Sequence, residues 1–342
     1  MAKINDMLLK LVNESGPSGF EQTIRSLLTK ELRKYVKDIK TDKFGNLIAH
    51  KKGKKPTILL VAHMDEIGLL IKGVSEEGHI SLATVGGIEP LALIGERVKI
   101  ETKKGFLQGI ITTKEMHNGE EITILPPMKE LYVDTGLTKS QLIKSGVTIG
   151  DYLHLVNDAT NLGNEKIITG KALDDRLGCF VLLEVMKRLR KNPYDFYYIF
   201  TVQEEMGLYG AKTSVYNLNP DWAIVVDTTN AEDFDARGTK EIGKGPCITI
   251  KDAEMMGNKC LNDIFKDIAK KKKIPLQIEI TDFGTTDALS ISVAKGGIPT
   301  GMVSIPVRNI HTMAGIAHLD DIENAIKIIQ SILANPPKTC VS

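Results

Sequence analysis

The sequence has few cysteines, and their spacing is informative. The four cysteines have neither a CxxC pair nor a histidine close by; they are Cys179, Cys247, Cys260 and Cys340. A disulfide framework or a thiolate zinc site is therefore not expected, and reduced thiols are the expectation for all four. Cys179 lies within an apolar helical pattern, which indicates a core residue rather than a nucleophile.

Long apolar runs are also absent. No stretch reaches the roughly 18 consecutive apolar residues of a membrane span, so no membrane partner is expected. The opening residues, MAKINDMLLKLVNESG, lack the uncharged apolar core and the cleavage site of a signal peptide. Their apolar spacing predicts instead an amphipathic helix over residues 3–13. We therefore expect a cytoplasmic protein.

Neither sign of charge is in excess. The 44 lysines and arginines nearly balance 43 aspartates and glutamates, which leaves a formal charge of +1. Nothing in this balance favours nucleic acid or an anionic membrane as a partner. The length of 342 residues is sufficient for one large domain or two unequal ones.

Two patterns alternate along the chain. Residues 1–69 and 165–342 combine helical periodicity with short apolar runs such as ILLVA, which are typical of strands buried on both faces of an α/β sheet. Residues 70–164 contain short alternating runs such as RVKIET between glycine-rich turns. We predict an α/β domain made from both ends of the chain, with a small β-rich domain inserted between them.

Polar clusters follow the apolar runs, and the carboxyl ends of strands are where open α/β sheets bind ligands. His63 and Asp65 follow ILLVA. Because they are two positions apart, their side chains would point to the same side of an extended chain. One could bind a metal while the other orients the imidazole. The doublet Asp174-Asp175 precedes a long helical pattern, where one acid could cap the helix and leave the other to bridge two cations.

Further clusters lie at three later strand ends. Glu204 and Glu205 follow FYYIFTV, where adjacent carboxylates repel unless a cation or a proton intervenes. One could be a metal ligand and the other a general base. Asp227 ends WAIVVD, and His311 follows SIPVRNI. Each cluster alone also fits a surface turn or a helix cap, but imidazoles and carboxylates together favour zinc or cobalt over calcium or magnesium.

These motifs resemble those of the TET-type aminopeptidases, the glutamyl and deblocking group that includes proteins once labelled endoglucanases. The resemblance covers almost the whole chain, through SGPSGFE, TDKFGNLIA, AHMDEIG, GGIEPLALIGERVKI, KALDDRLG, QEEMGLYGA, VVDTT, GKGP and TTDA. It implies a mixed-sheet α/β/α metallopeptidase domain with an inserted PDZ-like dimerisation domain. It also implies two divalent metal ions per subunit, peptide substrates, and self-association through dimers into a tetrahedral dodecamer.

The resemblance implies a role for each residue of the clusters. The first metal would be held by His63 and Asp227, and the second by Glu205 and His311. Asp174 would be the carboxylate that bridges them. Glu204 would be the general base, and Asp65 the acid that orients His63. The family continues the ligand histidine with Ser-Pro-Val-Glu, whereas this chain reads HTMAG. His318, beyond that loop, is expected to be structural.

Three alternatives to a metallopeptidase follow from the same residues. Paired carboxylates also serve glycosidases, although a glycosidase has no use for the two histidines. The altered loop leaves open a non-catalytic metal-stabilised assembly or peptide-binding protein. A metal-dependent deacylase is the third. For a peptidase, the expected specificity loop ITDFGTTDALS holds Asp282 and Asp287 but no cation, which favours neutral or broad specificity over glutamyl.

Overall fold

The computed structural model describes residues 5–102, 104–113, 124–234 and 238–340. The helices are α1 (Asp6–Asn13), α2 (Gln22–Leu32), α3 (Lys139–Ser145), α4 (Leu173–Arg188), α5 (Tyr209–Ser214), α6 (Lys259–Lys272), α7 (Asp287–Ser292) and α8 (Leu319–Ala334). Helix α1 matches the helix predicted over residues 3–13, of which residues 3 and 4 lie outside the described part. No helix in the described ranges is long and apolar enough to cross a membrane.

Seventeen strands form two sheets in the described part of the chain. They are β1 (Asp38–Thr41), β2 (Leu47–Lys51), β3 (Lys54–His63), β4 (Gly68–Val74), β5 (Ile80–Val85), β6 (Arg97–Thr102), β7 (Gly105–Thr112), β8 (Tyr132–Asp134), β9 (Tyr152–Leu155), β10 (Thr160–Leu162), β11 (Asn164–Gly170), β12 (Tyr194–Thr201), β13 (Trp222–Asn230), β14 (Cys247–Lys251), β15 (Gln277–Ile280), β16 (Thr300–Arg308) and β17 (Gly315–His318).

The larger sheet is mixed and has helices on both faces. Its order is β1-β2-β12-β3-β13-β16-β17-β11-β10, and β14 with β15 branches from β16. The central strands β12, β3, β13 and β16 run parallel. Helices α1, α4 and α8 pack on one face, and α5 and α7 pack on the other. The predicted α/β class with a mixed sheet is confirmed.

Strand β3 shows how the sequence builds this centre. Ile58, Leu59, Leu60 and Val61 are fully buried, because helices cover a parallel sheet on both faces. Leu59 and Val61 belong to the apolar cluster on the α5 and α7 side, whereas Ile58 and Leu60 belong to the opposite one. Because side chains alternate along a strand, His63 continues the α5 and α7 face.

A closed six-stranded barrel lies between Gly68 and Leu155. Its order is β4-β5-β8-β7-β6-β9, and Leu69, Val133 and Leu153 are fully buried in its own core. Strands β10 and β11, which follow, belong to the large sheet. The barrel accounts for the β-rich pattern of the sequence. The domain bounds at 69/70 and 164/165 and the PDZ-like likeness stay predictions.

One cysteine expectation is wrong. Cys260 at the start of α6 and Cys340 near the end of the chain form a disulfide, with Cα atoms 5.5 Å apart. The two lie 80 residues apart in sequence, and only the packing of the C-terminal segment beside α6 brings them together. No local spacing could have revealed this pair. Cys179 and Cys247 are free and buried, as expected of Cys179 from its apolar surroundings.

Candidate metal centre

The register of the central strands brings the first ligand candidates to one edge of the sheet. Thr201 pairs with His63 across β12 and β3, and Asp227 pairs with Ser304 across β13 and β16. His63 and Thr201 end their strands, and all four residues lie on the face covered by α5 and α7. His63 and Asp227 therefore approach each other, with Nε2 of His63 3.7 Å from Oδ1 of Asp227.

Asp174 lies between the two histidines. Its Oδ1 is 3.2 Å from Nε2 of His63, and its Oδ2 is 3.2 Å from Nε2 of His311. The same His311 nitrogen is 3.3 Å from Oε1 of Glu205. One carboxylate thus presents a different oxygen to each imidazole. Asp174 precedes the regular part of α4, and its peptide bond to Asp175 is cis.

Asp65 supports the site from behind and is completely buried. Its Oδ1 lies 3.5 Å from Nδ1 of His63, on the ring edge opposite the ligand cluster. Its two oxygens also accept the backbone N–H groups of Glu204 and Glu205, at 3.1 and 3.3 Å, and the hydroxyl of Ser18. Asp65 therefore holds both the His63 ring and the loop that follows β12. Such carboxylates fix the orientation of metal-binding imidazoles.

Asp175 is a candidate for which sequence reasoning found no definite role. Its Oδ1 accepts the N–H of Gly178 at 2.9 Å and so caps α4, whereas its buried Oδ2 has no hydrogen-bond partner among the described residues. The doublet itself was the only signal in the sequence. In the part of the chain that the structure describes, two groups of side chains place their ligand atoms within 4.8 Å of one another: His63–Asp174–Glu205 and His63–Asp175–Asp227.

Burial concentrates negative charge at this edge. It raises the pKa of Asp175, Glu204, Glu205 and Asp227 above the ordinary range, and the other carboxylates raise these pKa values further. Several buried carboxylates in mutual repulsion are costly unless a cation or protons neutralise them. A divalent cation would remove that cost, and imidazole with carboxylate is a donor set that zinc and cobalt accept. The residues present thus fit a metal.

The same negative charges raise the pKa values of the two imidazoles, which favours their positively charged form. Burial acts to lower the pKa of His311, but Asp174 and Glu205 outweigh it and raise that pKa to about 11. The pKa of His63 is likewise raised well above its ordinary value, because Glu204, Asp174 and other acids outweigh burial. Conversely, the two imidazoles overcome burial and lower the pKa of Asp174. Proton binding by the two histidines therefore adds positive charge to this acidic cluster.

A cavity of about 560 Å³ extends from this cluster. The candidate residues that line it are His63, Asp174, Glu204, Glu205, Asp227 and His311. Asp65 lies behind its wall. The cavity continues to side chains on and beside β14 and β15, which are two and three strands removed from β13. The structure therefore brings all seven sequence-derived candidates together at one cavity that has room for a ligand.

Comparison with known proteins decides the family. The model of the M42 glutamyl aminopeptidases matches residues 45–328. The chain belongs to the M42 glutamyl aminopeptidase family. It is 37% identical to a putative aminopeptidase of Acetivibrio thermocellus, over 95% of this chain and 96% of that one. It is 31% identical to a lysyl aminopeptidase of Pyrococcus furiosus, over 96% of each chain.

Solved structures of TET peptidases share this fold. The TET1 peptidase of Pyrococcus horikoshii, which can assemble into a tetrahedron or a large octahedral shell, superimposes with a TM-score of 0.87. The two chains are 31% identical, and the match covers 96% of this chain and 99% of that one. The TET-type resemblance is therefore confirmed, and the chain is an aminopeptidase. Membership of a peptidase family favours peptide hydrolysis over the glycosidase alternative.

The loop after His311, where the resemblance implied Ser-Pro-Val-Glu, is anchored by the barrel. Met313 is buried and joins the apolar core of the barrel. Its carbonyl oxygen accepts a hydrogen bond from Nδ2 of Asn157, and the Thr312 hydroxyl donates to the carbonyl oxygen of Asn309 at 2.8 Å. His311 itself has a φ of 59°, in the left-handed region. Burial of Met313 thus holds the histidine without the proline and the acid of the family pattern.

Proposed function

We propose that the chain removes N-terminal residues from peptides with two divalent metal ions, zinc or cobalt. The observation that carries this proposal is the position of Asp174 between His63 and His311, with one oxygen toward each. His63 and Asp227 would hold the first ion, Glu205 and His311 the second, and Asp174 would bridge them. The metal-free centre combines these five groups with the unfavourable negative charge that two ions would neutralise.

Glu204 is assigned the proton transfer. Bound ions of this kind lower the pKa of a coordinated water and polarise the substrate carbonyl. Glu204 lines the cavity but belongs to neither close group of ligand atoms. Its backbone is held by Asp65. In this position it accepts a proton from the attacking water and passes it to the nitrogen of the leaving amine.

Glu204→Gln tests this assignment. The substitution keeps the shape of the side chain and removes the base, so we expect both metals to stay bound. The value of kcat/KM should fall about 100- to 10,000-fold, the usual contribution of a general base. Metal content by elemental analysis and hydrolysis of aminoacyl anilides are the measurements. Glu165→Gln, at an exposed side chain away from the cavity, is the matched control.

Metal-replete Glu204→Gln that retains near-normal turnover would disprove the role of this residue. Wild-type protein that binds two ions but cleaves no aminoacyl substrate would instead support the non-catalytic alternative. Cleavage of acyl-amino acids alone would support the deacylase alternative.

Self-association belongs to the same proposal. The barrel would serve as the dimerisation domain within residues 70–164, and dimers would assemble into a tetrahedral dodecamer. The tetrahedral assembly of the similar TET1 peptidase supports this. Large apolar side chains exposed on this part of the chain give it a surface suited to protein contacts; they are Phe106, Ile110, Ile124, Leu125 and Ile149. A cytoplasmic location stays a prediction.

A further inference from the structure

The cavity wall beside β14 carries a buried carboxylate with an unused oxygen. Asp252 directly follows β14, is 3% exposed and lines the cavity. Its Oδ1 accepts the backbone N–H groups of Glu254 and Met255, at 2.9 and 2.7 Å. Its Oδ2 has no hydrogen-bond partner within the described ranges, and neither has Oγ1 of Thr285 on the same cavity. Buried polar atoms are normally satisfied, so these two indicate a ligand with donor groups.

Among the described residues of this wall, the one lysine is not available to an anionic ligand. An ammonium group has three N–H donors. Those of Lys240 reach Oε1 of Glu279 at 2.7 Å, Oε1 of Glu232 at 3.2 Å and Oγ1 of Thr229 at 3.1 Å. Glu279 is itself engaged through both oxygens, because its Oε1 also accepts the hydroxyl of Thr229 and its Oε2 accepts that of Thr249. This network neutralises Lys240 completely.

Among the described residues, the charge on this wall is therefore negative. Three carboxylates, Glu232, Asp252 and Glu279, line the cavity together with the single ammonium of Lys240. Among the described residues, Asp252 has no ion-pair partner. A carboxylate that is buried and unpaired is stabilised strongly by a cation placed against it. These three carboxylates would repel an acidic side chain there.

From this arrangement we infer that the β14 wall binds the side chain of the substrate's N-terminal residue and selects lysine, with Asp252 as its counter-charge. The inference rests on the proposed aminopeptidase function. A preference for lysine differs from the neutral or broad specificity that the loop ITDFGTTDALS, with Asp282 and Asp287, led us to expect. Asp282 is exposed and pairs with Lys251 at 2.8 Å, and Asp287 is buried against Thr201, so neither lines the cavity.

Binding of two amino alcohols tests this without turnover. L-lysinol and L-norleucinol cannot be hydrolysed, and they differ in the terminal ammonium group. Calorimetry on the metal-loaded protein should show lysinol binding about 10- to 100-fold more tightly, the usual effect of a charge-assisted hydrogen bond. Asp252→Asn keeps the oxygen that accepts the two backbone N–H groups. It should abolish the preference and leave norleucinol binding unchanged.

Asp282→Asn is the matched control, since it makes the same change at an exposed acid outside the cavity. It should keep the preference for lysinol. Equal weakening of both amino alcohols by Asp252→Asn would mean that Asp252 is structural, and would overturn the inference.

Kinetics separate this inference from the proposed function. With lysyl, leucyl and glutamyl anilides, kcat/KM should be highest for the lysyl substrate, and Asp252→Asn should lower it for that substrate alone. Equal or faster cleavage of the leucyl or glutamyl anilide would overturn the lysine preference while peptidase activity stands. If no anilide is cleaved but lysinol still binds preferentially through Asp252, the wall is confirmed and the proposed function fails.

Discussion

Gly178 leaves the space that the Asp175 carboxylate occupies. A Cβ atom built at this position would lie 2.3 Å from Oδ2 and 2.5 Å from Oδ1 of Asp175. The N–H of Gly178 also donates to that carboxylate. The glycine in the first turn of α4 is thus required by a side chain of the candidate metal centre rather than by backbone conformation.

Gly178→Ala should therefore disturb both stability and metal binding. Alanine normally stabilises a helix by about 1 kcal/mol relative to glycine. Here the methyl group must displace Asp175, so we expect a loss of about 1–3 kcal/mol of unfolding free energy, as for other overpacked sites. Metal affinity should fall about 10- to 100-fold, because Asp175 would no longer support the centre. Denaturant unfolding and metal titration are the measurements.

Gly163→Ala is the control for this change. No atom lies within 4 Å of a Cβ built there, so neither quantity should change appreciably. Unaltered stability and metal affinity in Gly178→Ala would contradict the role given to this packing.

At the scale of elements, helix α8 is capped by His318, a histidine close to His311 in sequence but not part of the candidate metal centre. Nδ1 of His318 accepts the backbone N–H of Asp320 at 3.1 Å, which makes His318 the N-cap of the helix. His318 does not line the cavity. The structure therefore agrees with the structural role expected for this residue.

His318→Ala should cost about 1 kcal/mol of stability, the usual effect of losing an N-cap. Metal content and activity should stay at the wild-type level, because the site residues are untouched. His318→Asn restores a capping acceptor and should recover most of the stability. A loss of bound metal in either variant would count against this interpretation.

At the scale of the whole molecule, the buried acids and imidazoles of the candidate metal centre make the stability depend on pH. Burial raises the pKa of Asp287 from 3.8 to about 6. At His311, Asp174 and Glu205 outweigh burial and raise the pKa from 6.5 to about 11. The folded protein binds both protons more tightly than the unfolded chain. For each group, the resulting stabilisation is complete below the pKa of the unfolded chain. It is lost as the pH rises through the pKa of the folded protein. Asp174 has the opposite sign but acts only at acidic pH, and His154, whose pKa burial lowers, opposes the trend only up to about pH 6.5.

We therefore expect the metal-free protein to become less stable between pH 5.5 and pH 8. Metal should reverse this trend, because ions compete with protons for the same ligands and bind more tightly as the pH rises. The increase in Tm on adding zinc or cobalt should thus be larger at pH 8 than at pH 5.5. Thermal unfolding with chelator and with metal, across this range, is the measurement. A metal-induced shift that is independent of pH would refute the proton competition.

Local patterns in the sequence determined the strands and the polar residues that end them. The run ILLVA predicts a strand buried on both faces, and His63 after it falls at the sheet edge where ligands bind. The same reasoning correctly places Glu205 after β12, but it ends the strand of Asp227 too early, because β13 continues to Asn230. Such features are short-range, because burial on two faces and a strand end are both properties of consecutive residues.

Tertiary structure alone decided the contacts between distant segments. The disulfide of Cys260 and Cys340, the free oxygen of Asp252 and the saturation of Lys240 each depend on residues far apart in the chain. The sequence showed a lysine and several acids, but only their packing determines which charges are neutralised and which remain for a ligand. Hydrogen-bond partners are set by distance and angle in the folded protein, and no local pattern contains that information.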